Sequence, residues 1–257
     1  MSQQTLIRKR VAAMLKYDPL QLPSEEELPC SDDTPVDNEL QNLIPNLLGA
    51  ILAFIWQDRR DWFFAVDMGI YHTTGTNPRI PIVPDGFLSL GVERLKGDKL
   101  RLSYIVWKEN NVVPVWVLEI VSHTYGGEYD NKATQYAQLG VLYYAIYNPE
   151  YSQRDRHDLL EVYRLVDGAY IRQPGEPVWM PEIGLGIGRE QGTYWGITRE
   201  WLYWYDQDGR KYPSPEEARQ VAEQQAQQEA QRRQIAEQRA EQLAAQLRAL
   251  GIEPDEA

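Results

Sequence analysis

The stretch WVLEIVS at residues 116–122 places one carboxylate, that of Glu119, inside an otherwise apolar run. A continuous run of large apolar residues predicts a central strand that is covered on both faces. A carboxylate that is buried in such a strand needs a partner or a chemical role, because burying an unpaired charge is costly. Glu119 is therefore the first candidate functional residue, and its strand is the expected centre of the fold.

Two other motifs lie within reach of that strand in the expected fold. A strand-like run ends in Pro84-Asp85, and Asp130-Asn131-Lys132 opens a helical segment. If the strands that carry Asp85 and Glu119 are adjacent, their carboxylates converge on one edge of the sheet. Oxygen ligands of this kind suit Mg²⁺ or Mn²⁺, and a nearby lysine supplies a positive charge. These residues predict metal-assisted cleavage of a phosphodiester bond, and another phosphate ester stays open as a substrate.

The order of helical and strand-like patterns predicts an α/β fold with a central mixed β-sheet flanked by helices. Apolar residues at three- and four-residue spacing predict a first helix from Asn38 or Glu39 to about Asp58. Pro45 falls early in this segment and is tolerated as a first-turn residue if the helix starts near Asn42. A second helix is expected over about 129–139, ended by Gly140. The interval between Asp85 and Glu119 predicts an inserted hairpin over 91–111. We expect a flexible segment at 1–37, a domain at 38–212 and a helical tail at 213–257.

The last third of the chain carries two further patterns. The segment from Trp179 onward is rich in glycine and predicts a peripheral meander of turns and strands. Ser214 and Pro215 then mark the start of a long helix. Within that helix a four-three spacing is typical of a coiled-coil seam, formed by Ala236, Ala240, Leu243, Leu247 and Leu250. The tail therefore predicts a homodimer, and a single solvated helix is the alternative.

Composition limits the remaining possibilities. The single cysteine, Cys30, excludes an internal disulfide and a cysteine-rich zinc site. There is no apolar run of 18 residues, so no membrane contact is expected, and the chain is interpreted as cytoplasmic. The net charge is −12, and about two thirds of that excess lies in residues 1–39 and 215–257. Such a charge argues against tight non-specific binding to DNA, which depends on Lys and Arg.

The motifs taken together resemble a known family. Pro84-Asp85, the 117–122 run, Asp130-Asn131-Lys132, Tyr136 and Gly140-Val141 resemble the Uma-type restriction endonucleases, abundant in cyanobacteria, of the PD-(D/E)XK nuclease superfamily. The resemblance is good over 38–165 and continues in the C-terminal part. It implies a restriction-endonuclease-like core that cuts DNA with Mg²⁺ and leaves a 5′-phosphate and a 3′-hydroxyl. Asp85 and Glu119 are then the metal ligands, and Asp85, Glu119 and Lys132 the catalytic residues.

The resemblance also directs attention to the usual lysine position, two residues after the second acid, where this chain has Val121. It implies that Lys132, on the following helix, supplies that charge, and that Glu39 on the first helix touches the metal. A water-facing acid at the helix start is the alternative for Glu39. The valine also keeps open a catalytically inactive nuclease fold that acts as an interaction module through its coiled-coil tail.

Three more residues are candidates on weaker grounds. Asp67 in an apolar strand either lines the site or is a buried structural acid, which is the favoured interpretation. His123 stands where the related proteins often have proline, and either relays a proton, contacts phosphate or is an ordinary loop residue. Asp130 either positions Lys132 or caps the helix that follows it.

Overall fold

The structure is a computed structural model that describes residues 21–29, 38–97, 99–123 and 126–250. The helices are α1 (Glu39–Ile55), α2 (Asn131–Leu139), α3 (Ser152–Asp155) and α4 (Pro215–Ala249). The strands are β1 (Trp62–Val66), β2 (Ile70–Tyr71), β3 (Gly86–Leu90), β4 (Tyr104–Ile105), β5 (Trp116–Ile120), β6 (Tyr143–Tyr147), β7 (Leu160–Val166), β8 (Ala169–Arg172), β9 (Val178–Met180), β10 (Leu185–Tyr194) and β11 (Ile197–Tyr205). The mixed α/β class expected from the sequence is confirmed.

A six-stranded mixed sheet forms the centre, in the order β1-β3-β5-β6-β7-β8. β5 and β6 are parallel, with Trp116 opposite Tyr143, and their other neighbours in this sheet are antiparallel. Parallel strands need a crossover connection, which here contains α2. The 116–120 run is buried at every position, as an apolar strand in the middle of a covered sheet should be.

The two faces of the sheet are covered by different elements. Alternate residues of β5, such as Trp116 and Leu118, pack with α1 and with β9–β11. Val117 and Val121 point to the opposite face, where they pack in a cluster with Tyr136 and Leu139 of α2. The alternation follows from the two-residue period of a strand, and it places Glu119 on the α2 side.

Helix α1 begins one residue after a capping asparagine. The Asn38 side chain accepts hydrogen bonds from the backbone N–H groups of Leu40 and Gln41, at 2.9 and 3.2 Å. These bonds satisfy donors that a helix start leaves free. Pro45 is not in the first turn, because the helix begins at Glu39 and not near Asn42; Pro45 is its seventh residue and is buried. It lies against Gly86, where an added Cβ would come within 3.2 Å of the Pro45 Cβ.

The glycine-rich C-terminal segment is not peripheral, which corrects the expectation. β9, β10 and β11 form a three-stranded antiparallel sheet, and Trp201, Leu202, Tyr203 and Trp204 of β11 are fully buried in the main core. The Trp204 indole N–H donates to the backbone oxygen of Leu48 in α1 at 3.0 Å. The large aromatic side chains of β11 place this segment in the core, although its glycine content had suggested exposed turns.

Two segments between β1 and β5 also differ from the expectation. The apolar strand expected around Asp67 is interrupted at that residue, whose φ of +49° lies in the left-handed region rather than in the extended region of a strand. Apart from one antiparallel bridge between Lys96 and Lys99, the described residues do not form the hairpin expected over 91–111. That segment instead contains β4, which pairs in parallel with β2, and a short 3₁₀ helix over Val106–Lys108.

Most of the segment predicted to be flexible, residues 1–37, lies outside the described residues. Of it, residues 21–29 are described, and they contain a 3₁₀ helix over Glu25–Glu27. Leu28 is buried beside Tyr71 and Ile105, and the Tyr71 hydroxyl donates to the backbone oxygen of Pro29 at 2.5 Å. This part of the segment is therefore packed against the body of the protein.

The chain divides into two compact units, with the boundary between Tyr212 and Pro213. The second unit contains α4, whose first turn is capped by Ser214 through a hydrogen bond from the Glu217 N–H at 3.1 Å. No described residue of α4 is buried. No described helix is both long enough and apolar enough to cross a membrane.

We expect Glu109→Gln to destabilise the protein by about 3 kcal/mol at pH 7, because a buried cation loses its partner. Glu109 and Arg101 are almost fully buried and paired at 2.9 Å, with Lys96 at 2.6 Å from the same carboxylate. Burial raises the pKa of Glu109, but Arg101 and Lys96 outweigh it and hold that pKa below its ordinary value. The stabilisation by the ionised Glu109 carboxylate is therefore fully present above the pKa that Glu109 has in the unfolded chain. It is lost as the pH falls through the lower pKa of Glu109 in the folded protein.

Urea unfolding at pH 7 and pH 3 measures this difference, and the gap between wild type and variant should shrink at pH 3. Glu93→Gln, at an exposed neighbouring acid, is the control and should change the unfolding free energy by less than about 0.5 kcal/mol. Equal stabilities of the wild type and Glu109→Gln at pH 7 would contradict the prediction.

Candidate active site

One edge of the central sheet gathers the candidate residues. Glu119 is the penultimate residue of β5, and Asp85 directly precedes β3, in which Gly86 pairs with Leu118. Asp67 follows β1, in which Val66 pairs with Gly86. Because β1 and β5 are antiparallel to β3, the ends of β1 and β5 meet the start of β3. The structure therefore brings Asp85 and Glu119 to one edge.

Glu119 is 1% exposed and both of its carboxylate oxygens accept hydrogen bonds. The Lys132 ammonium donates to Oε2 at 2.8 Å, and the Tyr136 hydroxyl donates to Oε1 at 2.5 Å. Both donors come from α2, four residues apart and hence on one helix face. The buried charge thus has the partners that its burial requires.

The pKa values at this edge follow from burial and from neighbouring charges. Burial raises the pKa of the Glu119 carboxyl, and the Lys132 ammonium opposes that rise. Burial alone would lower the pKa of Lys132, but the carboxylates of Glu119 and Asp85 outweigh it and raise that pKa. Lys132 is therefore a stable ammonium group at neutral pH.

Asp85 is held by the backbone of the neighbouring strand. Its Oδ2 accepts a hydrogen bond from the Ile120 N–H at 2.6 Å. Burial raises the pKa of Asp85 well above its usual range, the negative charge of Glu119 raises it further, and the Ile120 N–H and Lys132 oppose the rise. Two carboxylates that repel each other in this way form a site that a cation would stabilise.

The loop before α2 sets the position of Lys132. Gly127 has a φ of +81°, and its backbone oxygen accepts the Lys132 N–H at 3.0 Å. Gly140 ends the helix in a left-handed conformation, with a φ of +93°, as its sequence pattern predicted. Val121, at the usual lysine position, is 2% exposed and packs in the α2-side cluster. Residue 121 is therefore part of the apolar core, and the ammonium group beside Glu119 is that of Lys132 on α2.

Two weaker candidates lie on the first helix and after the first strand. Glu39 is exposed in the first turn of α1, and among the described contacts none joins it to Glu119 or Asp85. Asp67 was expected to be a buried acid, which is wrong, since it is exposed. Its N–H donates to the Asp85 backbone oxygen at 3.2 Å, and its negative charge contributes to the raised pKa of Asp85.

The other two weaker candidates lie in the loop that follows β5. The exposed His123 places its ring edge-on to Tyr151, with centroids 6.0 Å apart, and its backbone oxygen accepts from Arg154 at 2.9 Å. Asp130 stands at the cap position of α2, but its side chain makes no capping hydrogen bond. Neither residue has a described contact with the Glu119 carboxylate.

Three residues near the site were missed or misplaced by the sequence patterns. Tyr136 was part of the family motif without a role in the site assigned to it, yet its hydroxyl donates to Glu119. Gln41 of α1 donates to the backbone oxygen of Ile120 at 3.4 Å. Glu128 is 4% exposed, accepts from the Gly126 N–H at 3.1 Å, and its charge raises the pKa of Glu119. Helical spacing from Lys132 to Tyr136 was the one signal available.

A comparison with protein families gives this arrangement a context. A family model described as "Uma2: Putative restriction endonuclease" matches residues 21–191, about two thirds of the chain. The chain belongs to the Uma2 family. A search of curated proteins and a search of solved structures each found no match. The resemblance expected from the motifs is thereby confirmed, and the Uma2 description suggests a nuclease with DNA as its substrate.

The donor set of this Uma2 site suits a hard divalent cation. Among the described residues, no group of three or more His, Cys, Asp or Glu side chains is arranged to hold a metal ion. Mg²⁺, however, is usually bound by one or two carboxylates and keeps several waters. The Asp85–Glu119 pair, with oxygen ligands alone and mutual repulsion, fits that requirement. Each Glu119 oxygen has a second lone pair beyond its hydrogen bond.

We expect Tyr136→Phe to destabilise this Uma2 protein by about 1.5–3 kcal/mol. The reason is that the buried, charged Glu119 carboxylate loses the hydrogen bond that the Tyr136 hydroxyl donates to it. The control is Tyr170→Phe, which removes a bond to the neutral backbone oxygen of Val141 at 2.9 Å and should cost about 0.5–1.5 kcal/mol. Chemical denaturation at pH 7 measures both. A smaller loss for Tyr136→Phe than for Tyr170→Phe would show that the Tyr136 hydroxyl does not support the charge on Glu119.

Proposed function

We propose that the protein is an Mg²⁺-dependent DNA endonuclease that hydrolyses phosphodiester bonds through Asp85, Glu119 and Lys132. One observation carries the proposal. The Lys132 ammonium lies 2.8 Å from the buried Glu119 carboxylate, and the charges of both residues act on Asp85 at the same sheet edge. Membership of the Uma2 family supports DNA as the substrate.

Asp85 and Glu119 would hold the cation, with Mn²⁺ as a substitute for Mg²⁺. When bound, the ion lowers the pKa of a water molecule and offsets negative charge on the phosphate. The protein fixes both carboxylates in advance, because Ile120 donates to Asp85 while Lys132 and Tyr136 donate to Glu119. Preorganised groups of this kind need no rearrangement during the reaction.

Lys132 has a separate role from the two acids. Its side chain is 29% exposed while its ammonium contacts a carboxylate that is 1% exposed, so it links the buried charge to the solvent-facing side of the site. Its raised pKa keeps it positively charged near neutral pH. In that state it can stabilise the negative charge that develops on the phosphate. It thus replaces the lysine that Val121 does not supply.

We expect Mg²⁺-dependent nicking or cutting of plasmid DNA by the wild type, and its loss in Glu119→Gln and Lys132→Ala. The lysine variant should be at least about 100-fold slower, since it lacks the cation that offsets the developing charge. Agarose-gel assays of supercoiled plasmid with Mg²⁺ and with EDTA measure the rates. Lys99→Ala, at an exposed lysine, is the matched control and should cut at the wild-type rate.

Cleavage that persists in both variants would refute the assignment of the site. Calorimetric titration with Mn²⁺ separates an inactive fold from an active one. Binding that disappears in Asp85→Asn and Glu119→Gln supports the metal site, whereas the absence of binding to the wild type favours the inactive interaction module. Urea unfolding of each variant shows whether its fold is retained.

We also propose that α4 joins two copies of the chain. The apolar seam of its last two heptads is exposed within one chain, with Leu243 at 60% and Leu250 at 76%. Upstream, the same register carries Glu229 and Arg233, so the apolar seam is confined to the last two heptads. Heptad spacing of this type fits a coiled coil with a second copy.

We expect size exclusion with light scattering to give twice the 29.8 kDa chain mass for the wild type. Leu243→Glu combined with Leu247→Glu should reduce it to one chain mass, because charges cannot pack in the seam. The control combines Gln238→Glu with Gln242→Glu, which adds the same charge away from the seam and should leave the dimer intact. A single chain mass for the wild type would refute the proposed dimer.

A further inference from the structure

A second feature of the fold is a groove of about 540 Å³ that runs between α1, the edge strand β1 and the tip of the β10–β11 hairpin. Small residues of α1 keep it open. At Gly49 an added Cβ would come within 3.1 Å of the Phe64 ring, so a larger side chain would have to displace that ring. The volume falls in the usual range for small-ligand sites.

Trp195 forms one wall of the groove and has an unusual backbone. It occupies the first position of the two-residue turn between Tyr194 and Ile197, with a φ of +52°, and Gly196 follows at +73°. Such turns favour Asn-Gly, and a bulky residue there is strained. The Trp195 side chain is nevertheless 67% exposed. A strained backbone that presents an exposed indole suggests a binding role, because packing does not account for it.

The groove carries the groups that recognise nucleotides. Asn42 and Asn46 present exposed amides one helical turn apart, and the Asn46 amide nitrogen donates to the Asn42 backbone oxygen at 2.8 Å and to its Oδ1 at 3.3 Å. Arg94 contributes a guanidinium that lies 4.7 Å from the Trp62 ring. Amides can donate to and accept from base edges, and an arginine can contact phosphate. None of the described residues that line the groove is acidic, although the chain as a whole has a net charge of −12. The groove is thus suited to a polyanion with aromatic bases.

The groove also leads to the catalytic edge. Val66 lines it and directly precedes Asp67, whose N–H donates to the Asp85 backbone oxygen. Asn42 is adjacent to Gln41, which donates to the backbone oxygen of Ile120. A strand whose phosphate reached Asp85 and Glu119 could therefore continue along α1 toward Trp195.

We propose that this groove binds unpaired nucleotides that flank the scissile phosphate, with a base stacked on the Trp195 indole. The choice of nucleotides as the ligand rests on the proposed function, whereas binding in the groove is measured without any cleavage reaction. The Uma2 match ends at residue 191, so Trp195 lies outside the matched residues. The Asn42 and Asn46 amides contact the base edges, and Arg94 contacts a phosphate.

The experiment measures binding of a fluorescein-labelled single-stranded 12-mer by anisotropy, in EDTA, to the full chain. Trp195→Ala should lower the affinity, raising the Kd by about 5- to 150-fold, which is the range for loss of one base–aromatic stack. Trp195→Asn should weaken it equally while retaining or raising the Tm, because asparagine tolerates the left-handed turn. Trp195→Tyr should retain most of the affinity. Trp179→Ala, at a 40% exposed tryptophan outside the groove, is the matched control and should bind as the wild type does.

A Kd for Trp195→Asn within twofold of the wild type would overturn the inference, as would the absence of 12-mer binding to the wild type. Dimerisation that needs no oligonucleotide and that Trp195→Asn abolishes would identify a second copy of the chain as the occupant instead. Loss of 12-mer binding in Trp195→Asn supports nucleotide binding in the groove even if no plasmid cleavage is seen. Cleavage lost in Glu119→Gln with normal binding by Trp195→Asn would leave the proposed function standing and refute the groove alone.

Discussion

The buried carboxylate of Glu119 is the constraint on which the rest of the site depends. It lies in the middle strand of a covered sheet at 1% exposure, where an unpaired charge would be strongly destabilising. Lys132 and Tyr136 supply its partners from a single helix face. The docking of α2 is therefore fixed by these polar contacts as well as by apolar packing around Tyr136 and Leu139.

The sheet topology and the site have a common origin. β5 and β6 are parallel, so the chain must cross from one end of the sheet to the other between them, and α2 lies in that crossover. The same connection thereby delivers Lys132 to the end of β5. Asp85 reaches the same edge from the other side because β3 is antiparallel to β5. One arrangement of strands thus accounts for both the fold and the meeting of the three charged groups.

The parts of this structure that sequence patterns predicted are those set by local chemistry. The apolar run around Glu119, the Asn38 start of α1 and the Gly140 end of α2 each depend on nearby residues. The remaining features depend on distant contacts. The hydrogen bond from Tyr136 to Glu119 requires the docked position of α2, and the burial of Trp204 requires contact with α1. The glycine content around β10 suggested turns and obscured these aromatic contacts.

The position of the Lys132 ammonium on α2, beside the strand that carries Val121, has a physical consequence. A lysine at position 121 would place its ammonium in a cluster where Val121 is now 2% exposed and packed against apolar side chains. From α2 the ammonium instead reaches Glu119 while its side chain stays 29% exposed, which reduces the cost of desolvation. The charge is then supplied without the burial of a second ion in the core. Because Tyr136 lies one turn further along α2, a single helix provides both the cation and the neutral hydrogen bond that the buried carboxylate requires.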